Sequence, residues 1–263
     1  MSIGKVYLIG AGPGDPDLIT RKGLRHIQTA DVIIYDRLIP VELLDEARPD
    51  AELIDAGKKP QKHRLSQDDI NATILDRALK GNKVVRLKGG DPLVFGRGSE
   101  EALACHQYGI YFEIVPGISS SYAVPAYAGI PLTHRNISSS FTVITGHEDP
   151  TKPETSINYE ALATIGGTIV ILMGVKRLPD ITTQLIAHGL DPKTPSATIE
   201  WGTIQHQRTF IGTVDTIAEI ASVNHVQPPA ITVIGDVVTL REEGVQWYDL
   251  LPADVVVPRR RVS

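Results

Sequence analysis

Short β-branched runs alternate along this chain with stretches of helical period, the pattern of parallel sheets covered by helices. Strands are predicted at Lys5–Ile9, Val32–Tyr35, Ala51–Ile54, Lys83–Leu87, Tyr111–Val115, Phe141–Thr145, Thr168–Met173, Ala197–Glu200, Gln207–Ile211 and Ile231–Ile234. The class is therefore α/β. The clearest helix starts at Ser66, where Ser66 and Asp69 make a capping-box-like beginning. Ile70, Ile74, Leu75, Ala78 and Leu79 form its apolar stripe, and Gly81 ends it. A second runs from about Leu178 to His188 and stops at Gly189. At Val115-Pro116-Gly117 the texture changes to a Ser- and Ala-rich segment that lasts to Gly129, and this sets the domain boundary. Two α/β domains follow, 1–115 and 116–242, then a tail, 243–263, in which periodicity is lost.

Composition narrows the class of function. With 263 residues, 42% of them apolar and 22% charged, the chain can build one large or two modest cores, which excludes disorder as its main state. Lys plus Arg number 26 and Asp plus Glu 31, so the net charge is 26 − 31 = −5, the wrong sign for a dedicated nucleic-acid binder. The single cysteine, Cys105, excludes an internal disulfide and fits a reducing compartment, with cytoplasm the expectation and a small buried hydrophobe its expected role. The apolar run Val6 to Ile9 is too short for a secretory signal. The best membrane candidate, Thr168 to Val175, is interrupted by Gly174 and falls far below the ~18 apolar residues of a span, so a soluble protein is expected. His147-Glu148-Asp149 are neighbours on a loop with no second His or Cys group to help them converge on an ion, and no metal is expected.

Two loops carry the chemistry. The first, Gly10-Ala11-Gly12-Pro13-Gly14-Asp15, leaves a strand and enters a helical segment like a dinucleotide fingerprint, and Asp36 stands about where a ribose-binding acid would. It fails as one, because Asp15 replaces the third glycine and Pro13 removes an amide donor. What remains is a tight turn that needs glycine, or a loop whose backbone approaches a ligand. The second loop is denser: Arg86-Leu87-Lys88-Gly89-Gly90-Asp91 runs on through Pro92-Leu93-Val94-Phe95-Gly96-Arg97-Gly98 to Ser99-Glu100-Glu101. It follows a strand directly, at the carboxyl end where open α/β sheets place their ligands. Part of it reads as the acidic first turn of a helix, but Gly-Gly-Asp and the embedded Arg97 do not.

The strings VYLIGAGPGDPDLIT, ADVIIYDRL, VVRLKGGDPLVFGRGSEE, VPGISS and GIPLTHR, in this order from Val6 to about Glu242, resemble the uroporphyrinogen-III C-methyltransferase branch of the tetrapyrrole methylase family. The first string is shared across the wider family; the GGDPLVFGRGSEE run points to this branch. The resemblance implies a homodimer of two-domain subunits with S-adenosylmethionine folded in the cleft between domains. It implies donor contacts from Pro13, from Gly89, Gly90, Asp91 and Val94, from Ser119 and Ser120, and from Met173, Ala197 and Gly202. Family members often carry Thr-Ala where Ser119-Ser120 stand here. The implied reaction moves two methyl groups to uroporphyrinogen III, giving precorrin-2 through precorrin-1, for sirohaem- or cobalamin-type biosynthesis. The dehydrogenase and chelatase module of multifunctional sirohaem synthases is absent from this sequence, so the reaction is expected to stop at the methylated product.

Residue chemistry suits that reading. A macrocycle rimmed with carboxylates calls for cations in fork geometry, for which Arg97, Arg135 and Lys88 are candidates, with His134 beside Arg135. For Arg37 and Lys88 plain solvation is an equally good account. Methyl transfer to an electron-rich pyrrole carbon needs alignment above all, and then a base to remove a proton. The resemblance proposes Asp36 as acceptor with Lys58 as donor; residue chemistry favours Glu100 paired with Arg97. Both stay open at this point. Met173 belongs to the core on composition and becomes a ligand only through the resemblance. The rival functions are a methylase of a later corrin intermediate and a nucleotide-binding regulatory module without turnover.

Overall fold

The computed structural model describes residues 3–57, 66–147 and 155–248. Two compact units make up the chain, one ending at Ser119 and the next starting at Ser120. Each expected strand forms. The first unit holds β1 (Lys5–Gly10), β2 (Val32–Tyr35), β3 (Glu52–Asp55), β4 (Lys83–Lys88) and β5 (Tyr111–Val115) in one sheet of order β3-β2-β4-β1-β5. All its pairings are parallel. In a dinucleotide-binding fold β1 lies beside β2; here β4 is inserted between them, which removes the Rossmann reading on topology as well as on motif.

Strand alternation explains the long apolar runs. Val6, Leu8, Val32, Ile34 and Val84 face a core built with α2 (Gln67–Leu79) and α3 (Gly98–Gln107). Ile9, Ile33, Val85 and Leu87 face the opposite core, shared with Ile27 of α1 (Arg21–Ile27) and with Ile39 and Leu43. Both faces are covered, so both parities are apolar. The expected capping box at Ser66 is present: the Asp69 amide donates to the Ser66 hydroxyl at 3.2 Å and the Ser66 amide to the Asp69 carboxylate at 3.0 Å. Cys105 is fully buried in the α2/α3 core, where burial, helped by the charge of Glu101, pushes its thiol up to about 11.

The second unit departs from the parallel expectation. Its sheet joins β6 (Phe141–Thr145), β7 (Thr168–Leu172), β8 (Pro195–Glu200), β9 (Arg208–Thr213) and β10 (Ala230–Ile234) in the order β6-β7-β10-β8-β9. Only β6 and β7 pair in parallel; the other three pairings are antiparallel. The reason lies in chain length: the segment from Trp201 to Gln207 is too short for the crossover that a parallel neighbour of β8 demands, and it closes a hairpin instead. Helix α4 (Ser120–Tyr127) packs on one face through Val124, and α5 (Tyr159–Thr164), α6 (Leu178–Ala187) and α7 (Ile217–Val223) cover the other. Among the described residues no helix is long and apolar enough to cross a membrane.

Candidate active site

The carboxyl ends of β1, β4 and β5 are drawn together by glycine. A Cβ on Gly117 would stand 2.2 Å from the Gly90 carbonyl oxygen and 2.6 Å from Gly10 Cα, so only bare backbone permits this approach. Gly12 and Gly90 exchange amide hydrogen bonds of 3.3 and 2.7 Å, which laces the β1 loop to the β4 loop. Asp91 adds a strut: one carboxylate oxygen accepts from the Gly117 amide at 3.0 Å, the other from the Leu93 amide at 2.8 Å. Asp15, where a fingerprint would have glycine, caps the short turn Pro16–Leu18 by accepting from the Asp17 amide at 2.9 Å. Pro13, Gly89, Gly90, Asp91 and Ser119 are thus gathered at one sheet edge, with Val94 exposed on the loop beyond them.

That loop is wound on itself. The Gly98 amide donates to the Pro92 carbonyl at 2.9 Å, and Cβ atoms at Gly96 or Gly98 would stand 2.7 and 2.5 Å from the same oxygen. The two glycines flanking Arg97 are therefore required by the winding itself. Phe95 and Arg97 take left-handed backbone conformations, φ 52° and 58°, and both are exposed. Arg97 forks onto Glu100, Nε to Oε1 and Nη2 to Oε2, each 2.7 Å. The fork holds the Glu100 carboxyl below its ordinary range and takes both of its oxygens.

Behind this edge lies a buried charge cluster. Val84, Arg86 and Lys88 share one face of β4 by parity, and that face looks into the α2/α3 core. Arg86 is 2% exposed, Lys88 3% and Glu101 0%. Glu101, from α3, receives Arg86 Nε at 2.9 Å and Lys88 Nζ at 3.0 Å on its Oε1. Arg86 Nη2 reaches past it to Asp36 Oδ1 at the end of β2, while Nη1 caps the carbonyls of Ile34 and Leu87 at 3.3 Å each. Asp36 is 35% exposed, and its Oδ2 stands 3.9 Å from Lys88 Nζ, beyond hydrogen-bond reach. Burial works against the Arg86 charge, but Asp36 and Glu101 outweigh it and the guanidinium is held up; on Lys88 burial prevails, helped by the Arg86 charge, and the ammonium is pushed down.

Other expected site residues lie in the first unit's interior or belong to the second unit. Lys88 is no cation of an open mouth: its β4 parity turns it inward, onto Glu101. His134 and Arg135 are exposed in the second unit, on a turn closed by 3.0 Å bonds exchanged between His134 and Ser138. Ser120 opens α4. Met173 leaves the core that composition assigned it: it follows β7 with φ 55° and is 51% exposed. β7 and β8 both run antiparallel to β10, so Met173 and Gly202 lie at the same edge of their sheet. A Cβ on Gly202 would meet the Val124 side chain at 2.3 Å, and Ala197, in mid-strand on β8, is fully buried against that core. Lys58, and Glu148 and Asp149 of the His-Glu-Asp run, lie outside the described residues.

Comparison with known proteins decides the family. The model of the tetrapyrrole (corrin/porphyrin) methylases matches residues 5–218. The chain belongs to that family. It is 54% identical to the S-adenosyl-L-methionine-dependent uroporphyrinogen III methyltransferase of Methanosarcina barkeri strain Fusaro, over 91% of this chain and 94% of that protein. Among solved structures, the uroporphyrin-III C-methyl transferase of Thermus thermophilus complexed with S-adenyl homocysteine superposes with a TM-score of 0.76 at 36% identity, covering 90% of this chain and 94% of that one. A cobalt precorrin-4 methyltransferase superposes at 0.80 with 29% identity, covering 89% and 95%. The fold is therefore common to tetrapyrrole methylases of different substrates, and sequence is what separates them.

Two residues of this tetrapyrrole methylase escape a reading by motif: Arg86 and Glu101. The signal was there in the strand KVVRLK, where an arginine occupies a core-facing parity between faces that are both covered. A charge so placed requires a buried acid, and Glu101, with its own helix parity turned inward, supplies it.

Proposed function

We propose that the chain is an S-adenosylmethionine-dependent C-methyltransferase of uroporphyrinogen III that adds two methyl groups in sequence, giving precorrin-2 through precorrin-1 for sirohaem- or cobalamin-type tetrapyrroles. The observation that carries it is Asp36, a half-buried carboxylate held by a buried arginine at the glycine-lined edge of a parallel sheet. The relatives' names supply the substrate.

The residues suit the donor. Pro13, Val94 and Met173 leave apolar surface uncovered at their sheet edges, and Gly89 leaves space over the β4 loop. When bound, the sulfonium supplies an electrophilic methyl group. The chain's own part is to align the ring carbon and then to take a proton. Asp36 fits that task better than Glu100, because among the described residues no cation hydrogen-bonds to Oδ2, whereas both Glu100 oxygens accept from Arg97. Lys58 keeps the proton-donor role that the family resemblance suggests.

Arg97 and Arg135 are exposed cations for the substrate's carboxylates, with the exposed His134 beside Arg135 as a hydrogen-bonding side chain, and Lys88 serves the interior. Arg97→Lys keeps the charge but replaces the planar guanidinium, whose Nε and Nη2 hold Glu100 and whose Nη1 makes no bond to it, by a point charge that cannot serve Glu100 and a substrate carboxylate together, so turnover is expected to fall by about 10- to 100-fold with S-adenosylhomocysteine affinity unmoved. A calorimetric defect in donor binding would refute that division of roles.

The decisive assay is a mass spectrum after incubation with donor and uroporphyrinogen III. Two added methyl groups are expected; an unmodified macrocycle, with methylation of a later corrin intermediate instead, would transfer the chain to the rival branch. The active species is a homodimer, which rests on family resemblance, in the cytoplasm, which rests on the single cysteine and the reducing compartment it fits; light scattering at the monomer mass of 28.6 kDa would remove the dimer.

A further inference from the structure

We infer that Glu101 is a positioning residue for the proton-transfer step: its buried carboxylate sets Arg86 in place and, through Arg86, orients Asp36. The inference rests on Asp36 being the base. Arg86 has three fixed ends. Nε is on Glu101 at 2.9 Å, Nη1 on the Ile34 and Leu87 carbonyls, and Nη2 on Asp36. A planar guanidinium tied at Nε cannot swing Nη2 away, so the Asp36 carboxyl has one seat, with Oδ1 occupied and Oδ2 presented. Without the Glu101 charge, Arg86 and Lys88 would be two buried cations sharing the one carboxylate of Asp36, and Lys88 Nζ, already 3.9 Å from Oδ2, would be drawn onto the oxygen that must take the proton. Glu101 thus does two things: it fixes the arginine, and it keeps the lysine off the base. Among the described residues its buried Oε2 has no hydrogen-bond partner, so the carboxylate is committed through Oε1, which also accepts from Gln67 Nε2 at 3.4 Å.

Size and charge can be separated by substitution. Glu101→Gln keeps the volume and loses the charge; Glu101→Asp keeps the charge on a side chain one methylene shorter. If Glu101 positions by charge, turnover of uroporphyrinogen III falls by about 10- to 100-fold in Glu101→Gln and is partly recovered in Glu101→Asp. S-adenosylhomocysteine affinity stays within about twofold in both, since the donor residues are not in the cluster. A mere packing role predicts the reverse order, with glutamine near wild type and aspartate worse; that order, or equal activities, overturns the inference. Should Glu101→Gln fail to fold for want of a counter-ion, Glu101→Gln/Lys88→Met restores neutrality. Turnover in this double variant should stay low because the Nε anchor is still weakened, and wild-type turnover there would overturn the inference equally. Failure of the underlying reading looks different: Asp36→Asn with wild-type turnover would remove Asp36 as the base whatever Glu101 does.

Discussion

Asp36→Asn is expected to lower methyl-transfer turnover by about 100- to 10,000-fold, the range for loss of a positioned general base, while calorimetry finds S-adenosylhomocysteine affinity close to wild type. Asparagine keeps the size of the side chain and can still accept from Arg86 Nη2 through its carbonyl oxygen, so the guanidinium keeps its seat. What disappears is the basic oxygen, Oδ2, which becomes an amide nitrogen 3.9 Å from the Lys88 ammonium. The companion variant is Glu100→Gln. Its partner Arg97 is 57% exposed and Glu100 47%, so the pair is screened by water, and its loss should cost turnover less than about tenfold. The inverse result, a severe Glu100→Gln and a mild Asp36→Asn, would hand the base to Glu100. Residue chemistry alone preferred Glu100 paired with Arg97; the structure turns that same pairing into an argument against it, since both of its oxygens accept from the guanidinium, which lowers the carboxylate's basicity.

The ten strands and the two clearest helices were legible because each rests on a local signal: a β-branched run, a capping box, a closing glycine. The direction of β9 is a different matter. Nothing in Arg208–Thr213 says whether the strand runs with or against its neighbour; that is set by the length of the connection before it and by where β10 later inserts. Site residues divide along the same line. Gly89, Gly90 and Asp91 declare themselves by following a strand, and the structure finds them at its carboxyl end. Lys88 precedes them by one position, and parity alone turns it from the loop into the core. The Asp36–Arg86–Glu101 chain joins positions far apart in sequence on β2, β4 and α3, and only the insertion of β4 between β2 and β1 makes them neighbours. Composition misplaced Met173 for a related reason: a methionine after an apolar strand is core by frequency, but the left-handed turn at φ 55° carries it out of the sheet.

The glycines of this edge belong to two classes, and substitution by alanine tells them apart. Gly117 has an internal reason to be glycine: its Cβ would be 2.2 Å from the Gly90 oxygen, backbone against backbone, with nowhere for either to yield. Gly117→Ala should therefore lose stability, by about 1–3 kcal/mol or more for an overpacked contact, and donor affinity with it. Gly89 has no such reason. Its Cβ would meet Leu38 at 3.5 Å, an ordinary contact, and its φ lies outside the left-handed region. Alanine is therefore admissible to the protein at position 89, and the melting temperature should hold or rise slightly, since alanine narrows the unfolded ensemble. If a ligand's own atoms pack over that backbone, the methyl group must collide with them instead. S-adenosylhomocysteine should then bind about 5- to 150-fold more weakly to Gly89→Ala, the equivalent of ~1–3 kcal/mol of overpacking, with no loss of thermal stability in the free protein. Weakened affinity together with an undiminished melting temperature can come only from contact with the ligand. Wild-type affinity in Gly89→Ala would move the donor off the Gly-Gly-Asp loop and leave Asp91 as a strut for the fold alone.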